Sequence, residues 1–178
     1  MKKIKSVFAV VAVLFSLGVG FLLPKKDACA VTSRPLTVRG SSLTGIIEDG
    51  TRVVLQEGYY ECHAVERNEL VVYRYGGSYN PIIKMVRGVP SDQFLIEPFQ
   101  DKGYQIRLNG VILMTSKSEP YLFSKERADL LKLYERDYKG TIPADSYLLL
   151  GNLPGGSVDS LRFGLVSKED IIGKVELP

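Results

Sequence analysis

Short apolar runs of strand length, each closed by a turn signal, recur along this chain and restrict it to a mainly β fold. The runs are Leu36–Val38, Arg52–Leu55, Leu70–Tyr75, Ile82–Val86, Phe94–Pro98, Tyr104–Leu108, Val111–Met114 and Tyr147–Leu150. Asp49-Gly50, Gly76-Gly77, Asn109-Gly110 and Pro154-Gly155-Gly156 punctuate them. Asn109-Gly110 is the sharpest of these signals, because both residue types accept the positive φ of a type I′ hairpin turn. One helix is expected in the body, Lys125 to Tyr138, with Ser124 at its N-cap and Gly140 past its end. Its apolar residues Leu130, Leu131 and Leu133 are few, which places it on the surface. The expectation is an antiparallel, barrel-like β body with one short surface helix.

Before that body stands Val7 to Leu23, an uncharged run of 17 residues preceded by Lys2, Lys3 and Lys5. A bilayer needs roughly 17–25 apolar residues, and flanking lysines favour a cytoplasmic N-terminus. The reading is a single-pass anchor over residues 1–26 and an extracytoplasmic domain over residues 27–178. A cleavable secretory signal, cut after Ala30 in Ala28-Cys29-Ala30, is the rival. Lys25, Lys26 and Asp27 crowd that site with charge and weigh against it.

The formal net charge of +3 comes from the N-terminus: five of the 23 basic residues flank the apolar run, leaving 18 against 20 acidic residues from Asp27 onward. A nucleic-acid partner calls for a basic face, so none is expected. Cys29 and Cys62 make neither a disulfide framework nor a zinc site. A single bridge is conceivable outside the cell, but Cys29 lies so near the anchor that no bridge is expected. His63, the one histidine, reads as a surface strand residue, which argues against a Ser-His-Asp triad and against a metal. No cofactor is expected.

Candidate chemistry falls on Ser42, in Gly40-Ser41-Ser42-Leu43-Thr44-Gly45, and on Lys84, in Ile82-Ile83-Lys84-Met85-Val86. A hydroxyl needs a base to become a nucleophile at neutral pH, and a lysine is a base only when neutral. Apolar neighbours favour the neutral amine by penalising the ammonium form. A third segment, Gly151-Asn152-Leu153-Pro154-Gly155-Gly156-Ser157-Val158-Asp159-Ser160, completes the set.

With these segments the chain resembles the type I signal peptidases, membrane-bound Ser/Lys proteases that remove signal peptides from exported proteins. The resemblance runs in order through Ser42-Leu43, Val71-Val72-Tyr73, Ile83 to Asp92, Asn109-Gly110, Glu119-Pro120-Tyr121-Leu122, Pro143 to Gly151, and Ser157, Asp159 and Ser160. It implies the coiled β fold of that family, precursor proteins and the lipid bilayer as partners, Ser42 as nucleophile and Lys84 as general base. Ser157 matches the family's second serine, whose hydroxyl orients the lysine amine. Asp159 is expected to fix the loop carrying Ser157, with Arg162 as its partner. The Ser42 amide is one oxyanion donor. Gly40 stands where some relatives carry a serine that supplies a second. Leu43, Ile83 and Val86 are candidates to line shallow pockets for small substrate residues, and core packing explains each equally well.

Four departures from the family pattern stand out: Leu43 for Met, Gly45 for Pro, Met85 for the Arg after the lysine, and Asn152 with Leu161 for the Asp and Arg of the last block. Gly45 is expected to loosen the turn after Ser42. Asn152 and Met85 read as the coupled loss of an ion pair, which is near neutral where losing one partner costs about 3–5 kcal/mol. Other readings are a specialised conjugative-transfer peptidase, a catalytically silent membrane-anchored β domain that acts as a binding module, and a self-cleaving regulator. Intact Ser42, Lys84 and Ser157 argue against the silent domain. The regulator would carry a DNA-binding segment where this chain has its apolar run.

Overall fold

The computed structural model describes residues 29–76 and 81–177, so the apolar run expected as an anchor lies outside the described residues. In chain order the elements are β1 (Thr32–Thr37), β2 (Arg52–Glu57), β3 (Leu70–Tyr73), β4 (Ile82–Gly88), β5 (Phe94–Pro98), β6 (Tyr104–Leu108), β7 (Val111–Ile112), α1 (Lys125–Asp137), β8 (Ser146–Leu150), α2 (Ser160–Phe163), β9 (Val166–Ser167) and β10 (Ile171–Glu176). Among the described residues no helix is long and apolar enough to cross a membrane.

Seven strands form one sheet in the order β1-β2-β10-β3-β4-β8-β9, and β5-β6-β7 form a second. Every pairing is antiparallel. The expected barrel-like closure is not formed among the described residues: β1 and β9 are the edges of an open sheet. Both edges are poorly built for closure. β9 has only two residues, and Pro35 in β1 has no N–H to give to a further strand. The β6–β7 hairpin turns as its sequence directs, with Asn109 at φ 49° and Gly110 at φ 80°.

Three apolar clusters hold these layers. Val71, Tyr73, Val86 and Leu149 pack in one, and Val38, Leu43, Leu55, Val72 and Val175 in another. Val71 and Val72 are adjacent in β3 yet fall in different clusters, because successive strand residues point to opposite faces. All four residues of β3 are buried, as befits a central strand. The third cluster joins the small sheet to β8 and α1 through Phe94, Ile96, Ile106, Leu131 and Leu148. Helix α1 is indeed a surface element, inserting Ala128 and Leu131 while Leu133 stays exposed.

One expectation about the cysteines is overturned. Cys29 and Cys62 form a disulfide, with their Cα atoms 5.7 Å apart. A 3-10 turn at Tyr59–Glu61 follows β2 and carries Cys62 back beside the start of β1, a proximity that distance along the chain does not reveal. His63 also differs from its strand assignment: it sits in the bend after this turn, stacked on Tyr59 at 4.0 Å between ring centroids.

Candidate active site

Ser42 lies in a tight turn between β1 and β2, half-buried. Leu43 anchors that turn in the core at 2% exposure. Thr44 N–H donates to Ser41 O at 3.0 Å, and Ile46 and Ile47 N–H both donate to Leu43 O. Two carboxylates hold the flanks: Gly40 N–H donates to Asp49 and Gly45 N–H to Glu48. Gly45 does not loosen this turn. Its φ of +90° is open to glycine and closed to proline, whose ring fixes φ near −65°. Among the described residues nothing accepts a hydrogen bond from the Ser42 amide.

Lys84 reaches the same point from the middle of β4. Its side chain is 4% exposed, and its Nζ lies 2.7 Å from Ser42 Oγ. Burial lowers its pKa from 10.5 to about 8, with the Asp159 carboxylate pulling weakly the other way. As an ammonium Lys84 donates to Ser42; as a neutral amine it accepts the serine proton. A cavity of about 530 Å³ opens over the pair, walled by Leu36, Val38, Leu43, Val72, Ile82 and Ile83. Leu43 and Ile83 therefore line it as expected. Val86 does not: it is fully buried in the cluster around Val71.

Ser157 and Asp159 are buried beside this centre. The Ser157 hydroxyl has no hydrogen-bond partner among the described residues, and its carbonyl accepts from Arg127 at 3.3 Å. A β-carbon on Gly151 would collide with both Ser157 Oγ and Ser42 O, so this hydroxyl packs near the nucleophile's own backbone. Asp159 caps α2 by accepting from Leu161 N–H, and it also accepts from Gly151 N–H and Tyr121 Oη, each at 3.1 Å. Losing an acceptor of this kind would strand buried donors, since unsatisfied buried polar groups cost about 1–3 kcal/mol each. Its expected partner, Arg162, is not used. The Arg162 side chain is exposed on the outer side of α2, and only its backbone N–H donates to Asp159 O. Tyr121 fills the role, and burial beside Asp159 pushes its pKa upward.

Two contributors were not legible as site residues. Arg127 on α1 donates to Gly155 O and Ser157 O, pinning the glycine-rich loop. Ser116 meets the side chain of Asn152 through both its N–H and its hydroxyl. Neither stands in a motif, and only the fold brings them close. Tyr121, by contrast, stood in the Glu119-Pro120-Tyr121-Leu122 block without a role.

A buried lysine amine thus stands within hydrogen-bond reach of a half-buried serine hydroxyl on an open antiparallel β body. The family model described as "Signal peptidase, peptidase S26" matches residues 6–178. Signal peptidase IB of Staphylococcus aureus (strain COL) is 30% identical over 157 residues, 79% of this chain and 74% of that protein. Signal peptidase I U of Bacillus subtilis (strain 168) is 24% identical over 147 residues, covering 81% and 74%. A solved signal peptidase I from Enterococcus faecalis V583 covers 64% of this chain and 98% of its own at 20% identity and a TM-score of 0.42. The chain belongs to the peptidase S26 family of signal peptidases. It is a serine endopeptidase of the signal peptidase I type.

Proposed function

We propose that this protein cleaves signal peptides from exported precursors after small residues, with Ser42 as nucleophile and Lys84 as general base. The observation that carries the reading is the 2.7 Å approach of Nζ to Oγ inside an apolar wall that favours the neutral amine. Ser42 Oγ attacks the scissile carbonyl carbon while its proton passes to Lys84 Nζ. The tetrahedral intermediate then collapses, and Lys84 gives that proton to the departing amine. Water attacks the acyl-enzyme in the second half-reaction, its proton taken by Lys84 and returned to Ser42. The Ser42 amide supplies one oxyanion donor. The Ser157 hydroxyl, unpaired among the described residues and packed near the Ser42 backbone, is available to accept from the lysine amine, and Asp159 holds the backbone of Gly151 and Leu161 on which that loop rests.

Small substrate residues suit this site because Leu43 and Ile83 line its cavity. Val7 to Leu23 is the single membrane anchor, with the N-terminus in the cytoplasm and the catalytic domain outside. The Cys29–Cys62 disulfide supports that side, since disulfides persist in oxidising compartments. The test is direct. Full-length protein in detergent micelles is incubated with a precursor carrying an Ala-x-Ala site. The mature product is expected with the wild type and absent with Ser42→Ala. An inactive wild type, or an active Ser42→Ala, would reject the assignment.

A further inference from the structure

Among the described residues, Asn152 makes more hydrogen bonds to the turn carrying Ser42 than any other residue outside that turn. Its backbone N–H donates to Ser42 O at 2.6 Å, reinforced by Leu153 N–H to the same oxygen at 3.3 Å. Its side-chain Nδ2 donates to Thr44 O at 2.7 Å. The nucleophile is therefore bracketed at its own carbonyl and at the carbonyl two residues later. The other amide hydrogen goes to Ser116 Oγ at 2.7 Å, and Oδ1 accepts from Ser116 N–H at 2.9 Å. A primary amide has two donors and one carbonyl acceptor, so nothing on this side chain is left unused, and the residue is 4% exposed.

We infer that Asn152, held by Ser116, is a positioning residue that fixes the Ser42 turn for attack, and that Gly45 is its required companion. The inference rests on the reading of Ser42 as nucleophile. A carboxylate at position 152 could accept from Ser116 but could not donate to Thr44 O, so the amide and not the acid suits this turn. A β-carbon at Gly45 would stand 2.8 Å from Ser116 Oγ and 3.1 Å from Asn152 Nδ2. The space that a larger residue at position 45 would need is occupied by the clamp. Two departures that read as independent in the sequence are thus one arrangement. Ser116 lies in the loop following β7, so the clamp ties the small sheet to the nucleophile on the large one. Displacements well under an ångström at a reacting oxygen cost rate without weakening substrate binding.

Kinetics on the full-length protein in micelles, with an Ala-x-Ala precursor, test this. Reaction of Ser42 with a fluorophosphonate, followed by intact mass, serves as a second readout. Asn152→Asp is expected to lower kcat by about 10- to 100-fold with KM within about twofold, and to slow Ser42 labelling in parallel. Ser116→Ala, at an exposed position, is expected to keep the wild-type melting temperature and lower kcat by about 3- to 10-fold. The double variant should be no slower than Asn152→Asp alone. Unchanged kcat in folded Ser116→Ala, a change carried by KM, or effects that multiply in the double variant would overturn the inference. If Asn152→Asp does not fold, Ser116→Ala alone decides by the same criteria. An inactive wild type would instead overturn the parent reading and leave a distinct signature, because every variant would then be equally silent.

Discussion

Lys84 and Lys174 sit on either side of the same residue. Lys84 pairs with Val71 across β3–β4, and Lys174 pairs with Val71 across β3–β10. One row of one sheet thus carries two lysines with opposite chemistry. Lys174 forms an ion pair with Glu69 and lies 5.0 Å from the centre of the Tyr59 ring, and the hydrogen bond it donates to Glu69 raises its pKa. Lys84 faces a hydroxyl, and burial lowers its pKa to about 8. Strand position and residue type are shared, so they do not make a general base. What separates the two is burial first and the partner second: the apolar wall disfavours the ammonium form of Lys84, whereas a contact anion locks the proton on Lys174.

Removing the amines should break this comparison most visibly in the rate. Lys84→Ala and Ser42→Ala are each expected to lower precursor cleavage by at least about 10³-fold, and the double variant no further, because the two act as a unit. Lys174→Ala should cleave at close to the wild-type rate. Initial rates at saturating precursor decide it, and a Lys84→Ala protein that retains activity would remove Lys84 from the mechanism.

Stability should move in opposite directions at the two sites. A lysine whose folded pKa is depressed binds fewer protons in the folded state than in the unfolded one between about 8 and 10.5. Stability therefore rises with pH across that window, and at neutral pH the burial of Lys84 is a cost. Lys84→Met is expected to gain up to about 3 kcal/mol at pH 7, with the gain vanishing as pH approaches 10.5. Lys174→Met should lose about 1–2 kcal/mol, because Glu69 keeps only Tyr60 and the Glu66 amide as donors. Denaturant melts at pH 7 and 10 read both effects. An unchanged Lys84→Met midpoint at pH 7 would show that the amine is solvated.

How far this contrast was legible in the sequence depends on the range of the forces involved. Phe94–Pro98 and Tyr104–Leu108 match their expected bounds, since alternation and turn residues are local signals. The last strand, β10, escaped notice because Gly173 interrupts its apolar pattern, yet it lies between β2 and β3 at the centre of the large sheet. Ser42 and Lys84 stood out through their motifs, and the fold brings them together. The side-chain partners of Asp159 and Asn152 come from segments 36 to 108 residues distant, Tyr121, Thr44 and Ser116 among them, with Gly151 nearer. No local pattern encodes such pairs. The proposed Asn152–Met85 exchange also takes a different form, since the Asn152 amide is committed to Thr44 and Ser116 and the Met85 sulfur accepts from Arg87.

The pH profile sharpens the same contrast by a smaller factor. If Lys84 must be neutral, kcat/KM should rise roughly tenfold per pH unit below an apparent pKa near 8 and level off above it. Lys174→Ala should leave that profile in place. A rising limb centred near 10 would mean that burial does not tune Lys84, and the difference between the two lysines would carry no catalytic meaning.

The smallest effect tests whether a fixed charge near Lys84 can retune it. Met85 adjoins Lys84 in β4 and is only partly buried, so Met85→Arg is expected to fold and to place a second cation nearby. Like charge disfavours the ammonium, which should shift the apparent pKa of the rising limb down by a few tenths of a unit. Screening should reduce that displacement at 1 M salt, where the Debye length falls to about 3 Å. The measurement is kcat/KM against pH at low and high salt for Met85→Arg and wild type. An upward shift would show instead that the arginine reorganises the wall and lets water reach Lys84, removing the burial that distinguishes it from Lys174.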